Sequence, residues 1–137
     1  WLAPFRRAAA EYRRAAVQAE LEAAAAMLSP GRQEAVAALN DRLALTERLF
    51  LLPEGLPGRK WFRHALQAPA NDRGYAFQKL PAVAEALRDC DREAAVAGLE
   101  ATAAAVSRAS AFLGGRGRPA AASVGVQAAE SPRGRAE

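Results

Sequence analysis

Apolar side chains recur at helical intervals along the first stretch of the chain. Val17, Leu21 and Leu28 fall on one stripe, and Phe5 and Tyr12 share a neighbouring face. Arg6, Arg7, Arg13, Arg14, Glu20 and Glu22 take the wet side, and no Gly or Pro interrupts residues 5–28. The pattern predicts a first helix over 5–28. Ser29-Pro30-Gly31 then breaks it and starts the next: Ser29 is suited to cap the orphan N–H groups, and Pro30 suits a first helical turn. A second helix is expected to about residue 52. It carries two stripes, one of Val36, Leu39, Leu43 and Phe50 and one of Leu45, Leu49 and Leu52. Two stripes imply two neighbours, a bundle core and something else. The short connection predicts that the first two helices are antiparallel.

Residues 53–80 change character. Pro53, Gly55, Pro57, Gly58, Pro69, Asn71, Asp72 and Gly74 exclude a continuing helix. Trp61, Phe62, Tyr75 and Phe77 are large ordering groups, so the segment is no disordered linker. An irregular stretch of this length inside a compact domain points to function. Residues 60–66 are expected to be extended. Pro81 suits the first position of a short helix through residue 87, and Asp91 or Asp89 the cap of a last helix over 92–113. In that helix Val96, Leu99, Ala103, Val106, Ser110 and Leu113 keep one seam, and its many alanines keep it narrow enough for a partner helix to come close. The expected fold is all-α: a four-helix bundle-like domain over 1–113 with a long ordered Pro/Gly/aromatic loop between helices 2 and 3. Residues 114–137 have almost nothing to bury and read as a disordered basic tail.

Composition narrows the chemistry. Of the 137 residues 51% are hydrophobic, but many are alanine, which buries little area. Net charge is +4, with Arg116, Arg118, Arg133 and Arg135 of the tail supplying much of it. The excess is small and no folded basic stripe interleaves with aromatics, which argues against nucleic acid as a partner. No apolar run is long enough to span a membrane. One cysteine, Cys90, allows no internal disulfide, and one histidine, His64, makes a metal site built from this chain improbable. Ser29, Ser107, Ser110 and Ser123 lack a nucleophile-elbow setting, so no catalytic residue is assigned. The chain opens on Trp1 rather than Met. We therefore expect a segment of a longer protein.

One set of residues is more specific. Glu47-Arg48-Leu49-Phe50, Pro53-Glu54-Gly55-Leu56-Pro57-Gly58-Arg59, Arg63-His64, Ala68-Pro69, Gly74-Tyr75 and Leu80-Pro81 follow one another at characteristic spacings. In order and spacing they resemble the transferrin receptor-like dimerisation domain that closes the chain of glutamate carboxypeptidase II and its relatives. The resemblance covers residues 5–113. It implies a helical bundle that buries a two-fold interface, so the implied partners are a second copy and the catalytic and protease-associated domains of the parent. It implies two zinc ions in the parent and no cofactor here. Members are often secreted or membrane-anchored.

The resemblance also implies that the loop around 71–77 leans over the parent's active site. Tyr75 matches a tyrosine that helps hold substrate there. Gly74 stands where the family has a lysine, so the cation for an acidic terminal residue is missing and Arg73 is its nearest substitute. Tyr75 and Arg73 are therefore the substrate-pocket candidates. Arg59, Arg63, His64 and Trp61 are assigned to structuring the loop, with Trp61 and Phe62 as core or domain-interface anchors. Leu45, Leu49, Leu52, Val96, Leu99 and Val106 are the dimer-interface candidates; the alternative is that both stripes serve one protomer's bundle. The function expected is dimerisation and domain packing for a zinc-dependent exopeptidase. The alternatives are a non-catalytic receptor or scaffold domain of the same family, and an unrelated bundle whose basic tail touches nucleic acid or acidic membranes.

Overall fold

The computed structural model describes residues 1–28, 31–71 and 76–116. The expected cap at Ser29 and Pro30, the loop residues Arg73 and Tyr75, and most of the tail lie outside these. Four helices account for most of the described chain: α1 Ala3–Met27, α2 Gln33–Thr46, α3 Pro81–Arg88 and α4 Arg92–Leu113. The four-helix expectation holds, with α1 and α2 antiparallel. Tyr12 meets Phe50 beyond the end of α2, while Ala19 meets Leu39 in its middle.

Local sequence explains the helix ends. Pro4 lies in the first turn of α1 and Pro81 opens α3, where a missing N–H costs nothing. Asp91 caps α4, its Oδ1 accepting from the Ala94 N–H at 2.9 Å. Two helices end alike. Asp91 N–H donates to the Ala86 carbonyl and Cys90 N–H to Leu87, with Cys90 in the left-handed region at φ 57°. Arg116 N–H donates to Ala111 and Gly115 N–H to Phe112, with Gly115 at φ 72°. Both are Schellman closures, one on the residue type suited to it and one on a cysteine.

The core is built on alanine. Ala8, Ala15 and Ala19 are the buried positions of α1. They face α4, which runs in the same direction: Ala8 packs with Ala103, Val106 and Ala109, and Ala15 and Ala19 with Leu113. This reverses the expected orientation of α1. Val17, Leu21 and Leu28 point away from the core, at 50%, 61% and 85% exposure. The reason is steric. Small residues on both helices let the backbones close together, and a leucine on that face would hold them apart. Since α4 ends level with Ala15 and Ala19, the last turns of α1 project past it beside α2, tied by the Glu22–Arg42 ion pair.

After Thr46 the chain tightens into a 3-10 turn, Glu47–Phe50. That change of pitch rotates successive side chains differently and splits the expected Leu45, Leu49, Leu52 stripe. Residues 51–71 and 76–80, the described parts of the expected arm, are ordered. The first part of the arm folds back on itself. Leu52 N–H donates to Arg63 O at 2.7 Å, Leu56 N–H to Phe62 O at 2.8 Å and Ala65 N–H to Phe50 O at 2.9 Å. The regular extended segment comes later than expected, as β1 Gln67–Pro69, antiparallel to β2 Phe77–Lys79 with Ala68 opposite Gln78. The arm is wedged into the domain. Leu52, Leu56, Ala65 and Ala68 form one cluster with Ala82 of α3 and Ala105 of α4. Leu56 is wholly buried, a contribution of about 2 kcal/mol.

Candidate interaction surfaces and the arm

Arginine side chains hold the arm from within. The Arg59 guanidinium donates to the Pro69 carbonyl at 2.9 Å, forms an ion pair with Glu85 of α3, and lies 5.0 Å over the Phe62 ring. Both members of that pair are largely shielded from water, so removing one would strand a charge. Arg63 donates through Nε to Leu52 O and through Nη2 to Pro53 O, both at 3.1 Å. Arg88 of α3 donates to Gln78 of β2 at 3.2 Å. From α4, Arg108 reaches the carbonyls of Leu49 and Leu51 at 3.4 Å. Planar five-donor groups suit such work, because Arg59, Arg63 and Arg108 can each reach carbonyls of an irregular backbone from the side.

His64 sits at the base of the arm, its ring 5.7 Å from Phe50. Its Nδ1 accepts the Leu66 N–H at 3.2 Å, so the neutral ring carries its proton on Nε2 and donates to Glu47 at 2.9 Å. Tyr12, edge-on to Phe50, lies near the same carboxylate. Burial, and then the Glu47 charge, push its phenol above the usual tyrosine range. Trp61 behaves differently from these neighbours. It is 91% exposed, so its ring is no core anchor, and Phe62 is only partly covered. Phe77, opposite Pro69 on the outer face of the hairpin, is also exposed.

The residues expected to form the dimer interface separate. Leu52, Leu99 and Val106 are buried inside one protomer, where they hold the arm and α4 in place. Leu49 packs partly against the Phe50 and Val106 cluster. Leu45 is half-buried, as is Val96, which lies in a shallow groove with Arg92, Glu93, Ala97 and Glu100 on the outside of α4. The narrow seam of α4 receives α1 of the same chain. Among the large apolar side chains left exposed are Val17, Leu21 and Met27 of α1, Leu28 at its end and Leu43 of α2, besides Trp1, Leu2, Leu51 and Leu87 elsewhere. Val17, Leu21 and Leu28, which share one stripe in the sequence, all face out. The alanines opposite them were the available signal that this stripe faces out. Among the described residues no three His, Cys, Asp or Glu side chains converge as metal ligands, and no helix is long and apolar enough to cross a membrane.

A helical bundle clasping an ordered Pro-, Gly- and aromatic-rich arm, with large apolar side chains left on its outside, is the architecture of an association domain. The chain belongs to the transferrin receptor-like dimerisation domains, whose family model matches residues 1–114. Its relatives are glutamate carboxypeptidases. It is 51% identical over 49 residues to a probable glutamate carboxypeptidase VP8 of Zea mays, across 36% of this chain and 7% of that protein. The corresponding figure for a probable glutamate carboxypeptidase AMP1 of Arabidopsis thaliana is 43% over 49 residues, with the same coverage. An inactive zinc metalloprotease, C354.09c, of Schizosaccharomyces pombe is 40% identical over 70 residues, 51% of this chain and 9% of that protein. The chain thus matches less than a tenth of the length of these relatives.

Proposed function

We propose that this domain joins two copies of a glutamate carboxypeptidase-like parent, and that its arm packs against the parent's catalytic domain. The observation that supports this most is the placement of the uncovered apolar groups. Val17, Leu21, Met27, Leu28 and Leu43 are all on the α1–α2 hairpin. Covering each such side chain yields about 1.5–3 kcal/mol, so the hairpin has a strong reason to find a partner. A two-fold contact needs only one self-complementary patch, which the hairpin supplies to both copies. Trp61, Phe62 and Phe77 form the second uncovered group, and we assign it to the catalytic domain of the same parent. On this reading Tyr75 and Arg73 are the candidate substrate contacts, and the two zinc ions belong to the catalytic domain.

One relative's description as an inactive zinc metalloprotease favours a second reading, a scaffold parent in which the association role survives without catalysis. Both readings require self-association. Leu21→Glu with Leu43→Glu places charges on exposed positions and leaves the alanine core untouched. Sedimentation should show self-association weakened at least about a hundredfold, as expected when a few kcal/mol of apolar burial is lost, with unchanged helical content. A double variant that associates as tightly as the parent sequence overturns the hairpin assignment.

A further inference from the structure

The least ordinary hydrogen bond in the domain is the one His64 accepts. Among the described residues its Nδ1 is the one acceptor for the Leu66 N–H, and Leu66 in turn accepts the Leu80 N–H at 2.9 Å. Leu66 directly precedes β1, and Leu80 directly follows β2 and holds a left-handed backbone at φ 46° as α3 begins. Both feet of the hairpin therefore meet at one residue, and an imidazole nitrogen fixes that residue. The ring's other nitrogen is anchored on Glu47 in the 3-10 turn. A chain of three contacts, Glu47 to His64 to Leu66 to Leu80, runs from the start of the arm to its end.

This arrangement works in one protonation state. Neutral imidazole is a donor at Nε2 and an acceptor at Nδ1, which is what Glu47 and Leu66 require. Imidazolium is a donor at both. Its Nδ1–H would point at the Leu66 N–H, so the ring must turn away or the amide must lose its partner. Other charges near the ring bear on the balance. Glu47 attracts the cation, but its side chain is 67% exposed, so solvent screens most of that attraction. Tyr12 of α1 is uncharged and faces Glu47. Arg108 of α4 holds the carbonyl of Leu51, the residue bridged to His64. Turning the ring leaves the Leu66 N–H unpaired at a partly buried site, which has a cost of its own.

We propose that His64 is a proton-released latch: neutral, it locks the base of the β1–β2 hairpin to the bundle; protonated, it lets the hairpin loosen while the helices stay packed. The latch belongs to one protomer and is independent of self-association. Histidine is the side chain whose charge changes in mildly acidic solution, which gives the domain a way to sense an acidic compartment.

His64 is the only histidine, so its ring gives a single set of imidazole resonances in the nitrogen-15-labelled chain. At neutral pH the spectrum should report the Nε2–H tautomer. From about pH 8 to about pH 5, exchange protection of the Leu66 and Leu80 amides, corrected for the intrinsic effect of pH, should fall about tenfold. Protection of Ala105 and Val106 in α4 should hold. In His64→Asn the Oδ1 takes the place of Nδ1 and does not titrate, so Leu66 protection should be flat across the same range. A neutral ring protonated on Nδ1, protection at Leu66 that is constant while His64 titrates, or an equal acid-induced loss in His64→Asn would each overturn the latch. The tautomer reading on the unsubstituted chain decides even if the variant fails to fold.

Discussion

Two glycines in the arm share a backbone conformation and differ in surroundings, which allows the packing of the arm to be weighed separately from its turns. Gly55 has φ 73° and Gly58 φ 68°. Any residue with a Cβ is strained there, by about 1–2 kcal/mol. At Gly58 that is the whole cost, since nothing lies within 4 Å of an added Cβ. At Gly55 an added Cβ would sit 2.2 Å from the Lys60 carbonyl oxygen and 2.7 Å from its Cα. Backbone cannot swing aside as a side-chain end can, so the turn must open by about 1 Å. Overpacking of this kind costs a further 1–3 kcal/mol or so. The opening would also pull on Leu56, which is wholly buried next in the chain and donates its N–H to Phe62 O at 2.8 Å. Gly58→Ala should therefore lower stability by about 1 kcal/mol, and Gly55→Ala by about 2–5 kcal/mol. At 4–8 °C per kcal/mol for a domain of about this size, Tm should fall by roughly 5 °C in the first and by 10 °C or more in the second. Urea unfolding followed by far-ultraviolet circular dichroism gives both free energies. Equal losses would refute the reasoning, because they would mean that the arm does not close on itself between Gly55 and Lys60 and is no part of the core.

Other substitutions probe single features. Cys90→Gly removes the left-handed strain at the end of α3 and should stabilise the domain by about 0.5–1 kcal/mol in the same assay. The Ser110 hydroxyl is buried in α4 with no hydrogen-bond partner among the described residues, so Ser110→Ala should be neutral or stabilising by about 1 kcal/mol; a loss above about 1 kcal/mol would mean the hydroxyl has a partner. The Tyr12 phenol is raised by burial and by Glu47, so the folded state favours its neutral form. That stability is complete below the ordinary tyrosine range and is lost as pH rises through the folded-state value. Tyr12→Phe should remove that part of the alkaline loss, seen as a flatter Tm profile above about pH 10.

The sequence was a good guide wherever large side chains or turn residues determine structure. The Pro81 start of α3, the Asp91 cap, the α4 seam from Leu99 to Leu113 and the ordered arm all follow from residue types with one dominant physical preference. The motif from Glu47 to Pro81 also identified the family. The orientation of α1 was not legible from periodicity. Hydrophobic stripes are read on the assumption that larger apolar groups face inward, and here close helix contact selects Ala8, Ala15 and Ala19 instead. The same effect bears on the residues expected at the association surface. Leu52, Leu99 and Val106 are used up in the core, and the pitch change at Glu47 broke the stripe to which Leu45 and Leu49 belong. The β1–β2 hairpin escaped notice because three-residue strands carry too short an alternation to register. Trp61 is a further lesson: a large aromatic in an ordered arm suits the core or a domain interface, and its exposure removes the first of these.

Self-association through the α1–α2 hairpin is tested most directly by the mass of the unmodified chain in solution. Sedimentation equilibrium over a range of protein concentrations should give twice the 14.5 kDa of one chain at the upper end, with dissociation on dilution. A mass of 14.5 kDa at every concentration would contradict it.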